Sequence, residues 1–165
     1  MPTDTTAQTQ KIRVLILEDS PVDAELILRE LRQAQFEPEW QRVQTESAFL
    51  AALDPAPDLI LADYSMPQFD GIRAVKLLRE RRLDIPFILI SGTLAEEEAI
   101  LAINKHGVDD YLAKDRLARL GSSVTNALAS KQLRDERKQA EATLRNSEER
   151  SILSEESCDL ASSWP

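Results

Sequence analysis

Four short apolar runs in this chain each stop at a polar residue with chemistry to offer, and that repetition constrains the fold more than any other feature. Glu18 and Asp19 follow residues 12–17, Asp63 follows 59–62, Ser91 follows 87–90 and Lys114 follows 111–113. The runs are aliphatic or β-branched, and segments with apolar residues at helical spacing separate them. Strand and helix in alternation predict an α/β fold, a doubly wound five-stranded parallel sheet with helices on both faces. Ligands bind such sheets beyond the carboxyl ends of the strands. Three carboxylates, a hydroxyl and an ammonium group should therefore meet at one edge. Carboxylates crowded together repel and call for a cation, and an all-oxygen ligand set suits Mg²⁺. The lysine and the hydroxyl remain to hold an anion beside the metal, such as a phosphoryl group.

The elements between these ends can be placed from local signals. Residues 1–10 are Thr/Gln-rich and expected to be disordered. Ser20 offers an N-cap, Pro21 suits the first helical position, and Asp23 stands at capping-box spacing. Val22, Leu26, Ile27 and Leu31 give the first helix an apolar stripe. A weaker second strand is expected at residues 40–43, and a short helix carrying Phe49, Ala52 and Leu53 ends at Asp54-Pro55. The third strand is expected at 58–62. Gly71 opens a helix whose core face includes Ile72, Val75 and Leu78. Pro86 precedes the fourth strand, 87–91. Glu96, Glu97 and Glu98 load the first turn of the fourth helix with negative charge, and Gly107 suits its C′ position. The fifth strand is expected at 110–113. Leu117, Leu120, Val124 and Leu128 then carry a core-facing stripe, which bounds a domain over residues 11–130.

From 131 to 150 mixed charges and good helix formers dominate, with Leu133, Ala140 and Leu144 as a sparse stripe. This reads as a helical extension, a signalling helix or two-stranded coiled coil, through which a weak homodimer can form. Residues 151–165 are Ser/Glu-rich without a period and are expected to be a disordered tail. The net charge of −9 argues against a general grip on nucleic acid. The single cysteine, Cys158, allows no internal disulfide, which fits a reducing cytoplasm. The first residues have no signal-peptide pattern, and no apolar run is long enough for membrane insertion.

The stretches VLILEDSPVDAELI, PDLILADYSMPQFDGI, PFILISGT and GVDDYLAKD, in this order and spacing, resemble the receiver domain of two-component response regulators, over residues 11–128 or so. The resemblance implies the flavodoxin-like receiver fold and a bacterial signalling role. It makes Asp63 the phosphoacceptor, forming an aspartyl phosphate with a phosphoryl group from a partner histidine kinase or phosphotransfer protein. Glu18 and Asp19 become the acidic pair that holds Mg²⁺, with Asp63 and the backbone carbonyl of Ser65 completing the protein ligands. Ser91 matches the switch hydroxyl, Lys114 the lysine that pairs with the phosphoryl group, and Tyr111 the aromatic that changes rotamer. Ser65 and Thr93 match positions that tune hydrolysis. Phosphorylation is then expected to repack the face made by the fourth helix, fifth strand and fifth helix, and to alter the C-terminal helix. The chain departs from the common pattern at Asp115, where many receivers have a proline after a cis peptide. Without proline a cis bond is costly, so a trans peptide is expected. The run KDRLARL looks like the receiver subgroup found beside hybrid sensor kinases.

Other classes fit less well. A phosphohydrolase of the haloacid-dehalogenase type needs a second acid two residues after its nucleophile, where this chain has Ser65. A nucleotide-binding loop of the form G-x-x-x-x-G-K is absent, and only four glycines occur. A phosphate-independent interaction scaffold on the same fold is the remaining alternative, though the full acid and lysine set is kept. His106, the only histidine, reads as a helix C-terminal residue and not as a phosphodonor. The chain is thus expected to be a switch that catalyses only its own phosphoryl transfer, not an enzyme acting on others.

Overall fold

The computed structural model describes residues 8–92 and 96–162, so the reading given to Thr93 lies outside the described residues. Among these residues five strands alternate with five helices: β1 (Gln10–Leu17), α1 (Pro21–Gln33), β2 (Phe36–Val43), α2 (Glu46–Ala51), β3 (Leu59–Asp63), α3 (Gly71–Glu80), β4 (Phe87–Ser91), α4 (Glu96–His106), β5 (Asp110–Ala113) and α5 (Leu120–Ser162). A 3₁₀ segment, Lys114–Arg119, joins β5 to α5. All strand pairs are parallel, in the order β2-β1-β3-β4-β5. The chain winds outward in both directions from β1 and β3, so the crevice of this sheet opens at the ends of those two strands.

Alternation along the strands divides the core in two. Leu15, Leu17, Ile60, Ala62, Phe87 and Leu89 pack on one face, among residues of α2 and α3. Val14, Ile16, Leu59, Leu61, Ile88 and Ile90 pack on the other, among residues of α1 and the start of α5. β3 and β4 are buried along their whole length, as strands covered on both faces must be. Gly71 and Gly121 are points of close approach. A Cβ on Gly71 would lie 2.4 Å from Leu89 Cδ2 and 3.1 Å from the Asp63 carbonyl oxygen. A Cβ on Gly121 would lie 2.5 Å from the Cβ of Ala34, just past α1. Ser123 Oγ donates to Asp110 Oδ2, which ties α5 to β5.

Several expectations are corrected. β2 begins at Phe36, four residues before the expected start, because an edge strand needs few apolar residues; only its two ends are buried. On α1 the buried residues are Ala24, Ile27, Leu28 and Leu31, whereas Val22 (69% exposed) and Leu26 (43%) face solvent. Two stripes compete on that helix, and the one containing the small Ala24 packs. β1 takes in Gln10, and Asp63 is the last residue of β3 itself. Gly107 has φ +69° and its N–H bonds the Ile103 carbonyl, the αL helix end expected of it. The only cis peptide bond among the described residues precedes Pro55, so the Lys114–Asp115 peptide is trans.

The chain divides into two compact units, 1–129 and 130–165. In the second, α5 continues to Ser162, so helix replaces the irregular tail expected from residue 151. Leu133, Leu144, Ile152 and Leu153 are each more than half exposed along it. Ion pairs at helical spacing, Lys131–Asp135 and Arg137–Glu141, line the same helix. No helix among the described residues is long and apolar enough to cross a membrane.

Candidate functional site

The site forms where β1, β3, β4 and β5 end. Glu18 follows β1, and its backbone N–H bonds the Val43 carbonyl at the end of β2. Arg42 Nη1 donates to the Glu18 carbonyl at 3.1 Å, fixing the turn from the other side. These two contacts hold the Glu18 side chain inward at 1% exposure. Its Oε1 accepts from the Ser20 N–H at 3.0 Å, while Oε2 is buried without a hydrogen bond. Asp63 is buried at the tip of β3, where Oδ1 accepts the Ser65 N–H at 2.9 Å and Oδ2 accepts from Lys114 Nζ at 3.0 Å. Ser91, fully buried, ends β4 one residue beyond Ile90, the register partner of Asp63. Lys114 follows β5, and Tyr111 lies half-buried on β5, packed against the α2–α3 side of the core.

One carboxylate oxygen from each of Glu18, Asp19 and Asp63 lies within 4.8 Å of the others. Burial drives the Glu18 carboxyl up to about 7; the Ser20 N–H opposes this, and the charge of Asp63 adds to it. A buried carboxylate oxygen with no hydrogen bond, facing two further acidic oxygens, fits a hard divalent cation bound through oxygen. Lys114 is surrounded by acids: Nζ lies 2.8 Å from Asp23 Oδ2, 3.0 Å from Asp63 Oδ2 and 3.4 Å from Glu18 Oε2. Burial alone would lower its pKa, but the bonds to Asp23 and Asp63 and the charge of Glu18 outweigh it and hold the ammonium above its ordinary range.

A family model for the response regulator receiver domain matches residues 14–125. This chain belongs to that family. Among similar receivers, the phosphate regulon transcriptional regulatory protein PhoB of Klebsiella pneumoniae is 32% identical over 104 residues, covering 62% of this chain and 44% of PhoB. The probable C4-dicarboxylate response regulator DctR of Halalkalibacterium halodurans is 30% identical over 121 residues, 72% of this chain and 52% of DctR. This chain therefore spans well under two thirds of either relative. The receiver domain of Francisella response regulator 1452 superposes with a TM-score of 0.62 at 26% identity, over 72% of this chain and 98% of that one. The Mn²⁺-bound form of response regulator Rcp1 shares the fold, with a TM-score of 0.56 at 24% identity over 68% of this chain and 91% of its own.

Within this receiver domain, Glu18, Asp19, Asp63 and Lys114 come together, Ser65 contacts Asp63 through its backbone, and Ser91 ends the strand beside β3. Two residues at the site escape the sequence reading. Asp23 stands at capping-box spacing, yet the reciprocal bond is not made by its side chain: Glu18 takes the Ser20 N–H, and the Asp23 carboxylate goes to Lys114. Arg42 lies on β2, the strand with the weakest pattern. Neither contact has a local signal, since they span 91 and 24 residues.

Proposed function

We propose that this receiver domain is a phosphorylation-driven switch in which Asp63 accepts a phosphoryl group from a histidine kinase or phosphotransfer protein. The observation that carries this reading is the placement of the Asp63 carboxylate between two further acidic side chains and the ammonium of Lys114. Glu18, Asp19, Asp63 and the Ser65 carbonyl would hold Mg²⁺, which supplies neutralisation of charge on the transferring group. Ser65 N–H orients Asp63 through Oδ1. Lys114 moves from Asp63 to a phosphoryl oxygen, and Ser91 donates its hydroxyl to another as Tyr111 turns inward. The charge added at Asp63 thereby repacks the face formed by α4, β5 and α5. In the transfer, an Asp63 oxygen bonds to phosphorus while the bond from phosphorus to the donor's leaving group breaks. The leaving group departs with the electron pair and takes its proton from solvent. Ser65 and Thr93 tune the return hydrolysis.

Kinship with receivers beside hybrid sensor kinases rests on the run KDRLARL, and a cytoplasmic setting and a weak homodimer through α5 belong to the same reading. A phosphate-independent scaffold is less well supported, because it gives no reason to bury Glu18 and Asp63 together. Incubation with acetyl phosphate and Mg²⁺ tests the proposal. Wild type should gain an acid-stable, base-labile phosphoryl mass and Asp63→Asn should not. Equal labelling of the two proteins would refute the assignment.

A further inference from the structure

Asp23 makes the shortest contact to Lys114 in the site, 2.8 Å, ahead of Asp63 at 3.0 Å and Glu18 at 3.4 Å. Its carboxylate is released from local duty, because Glu18 Oε1 satisfies the Ser20 N–H that a capping-box acid would take. The N-cap itself uses only the Asp23 backbone, whose N–H bonds Ser20 Oγ at 3.3 Å. Nor does Asp23 belong to the set of carboxylates close enough to share a cation, which is Glu18, Asp19 and Asp63. Side-chain exposures of 27% for Lys114 and 32% for Asp23 leave the pair solvated enough that it adds little to stability. The pair joins residues 91 apart and ends on the ammonium group that also meets Asp63.

We propose that Asp23 is a positioning residue that keeps Lys114 beside Asp63 while the lysine exchanges the Asp63 carboxylate for a phosphoryl oxygen. The inference rests on the reading of Asp63 as phosphoacceptor. Before transfer, Lys114 donates to Asp63 Oδ2 and draws charge from an oxygen that must attack phosphorus. During transfer it must let that oxygen go and donate to the incoming group. Lysine is a point charge on a flexible stem. Without a second fixed acceptor it either stays tight on Asp63 or leaves for solvent, and both slow the reaction. The bond to Asp23 turns the exchange into a short shift about an anchored ammonium. The lysine stays protonated throughout, and the bonds made and broken at phosphorus are those given above.

Phosphorylation of the full chain by acetyl phosphate, with Mg²⁺ saturating each protein, tests this directly. Asp23→Ala keeps the backbone cap, so its melting temperature should stay near that of wild type. Its maximal phosphorylation rate should fall about tenfold, equivalent to roughly 1.4 kcal/mol of barrier. The half-saturating donor concentration should change little, and Asp23→Glu should recover much of the rate. The unchanged melting temperature excludes a loss of active protein as the cause, and the rescue ties the rate to the carboxylate. If wild type takes up phosphate and Asp23→Ala matches its rate within about twofold, the anchoring role is overturned and the phosphoacceptor reading stands. If wild type takes up none, both fall.

Discussion

Glu18 sets burial directly against charge. Its carboxyl is 1% exposed and keeps its proton up to about 7 in the folded protein, whereas the unfolded chain releases it near 4.5. Between those values the folded state binds more protons than the unfolded one, so raising the pH destabilises the metal-free fold. In EDTA, unfolding by urea should give a stability that declines from pH 4.5 to about 7, by a few kcal/mol at most, and Glu18→Gln should flatten the decline. Saturating Mg²⁺ should offset it in wild type, since the cation favours the ionised form. Parallel curves for wild type and Glu18→Gln would show that this carboxyl is not the source of the slope. The acids at the strand ends were legible in the sequence because each closes an apolar run. The Asp23–Lys114 bond was not, because no local pattern marks a contact across 91 residues.

At the scale of elements, the strands buried on both faces were read nearly to the residue, β4 at its exact bounds, while β2 and α1 were not. β2 carries Glu37, Glu39 and an exposed Trp40, the composition of an edge, and its pairing with β1 supplies what its side chains do not. On α1 the packing of Ala24 depends on what crosses it, which periodicity does not reveal. The approach of α5 to the end of α1 gives a sharp test. Gly121→Ala improves helix propensity by about 1 kcal/mol at most, and less in a first turn. Against this stands a Cβ placed 2.5 Å from the Cβ of Ala34, which neither side chain can turn away from. Overpacking of this kind costs about 1–3 kcal/mol, so the variant should be net destabilised in urea denaturation. A more stable Gly121→Ala would mean that the two elements separate easily.

For the whole molecule, α5 is where the sequence pattern extends least far. A helix was legible to residue 150 from its charges and helix formers; its continuation to Ser162 was not, because Ser-rich sequence has weak propensity of its own. Leu133, Leu144, Ile152 and Leu153 are exposed along it. Ion pairs four residues apart also support a single helix, so exposure alone does not require a second chain. Sedimentation separates the two. The chain of residues 1–165 should self-associate weakly, more so when phosphorylated, and a chain ending at Ser130 should stay monomeric. Monomers throughout would reduce α5 to a tether.

The order in which the chain supplies its site residues has a consequence for synthesis. Glu18, Asp19 and Asp63 emerge in the first half, and Lys114 follows only after β5, the outermost strand on its side of the sheet. A ribosome-bound chain therefore carries the three acids without Lys114 until almost the whole domain has been synthesised. During that interval the lysine that meets Asp63 is missing from the site, and phosphoryl transfer as proposed would be unproductive. On the proposed reading, competence to accept phosphate arrives last, and uptake of phosphate would report that the sheet is complete.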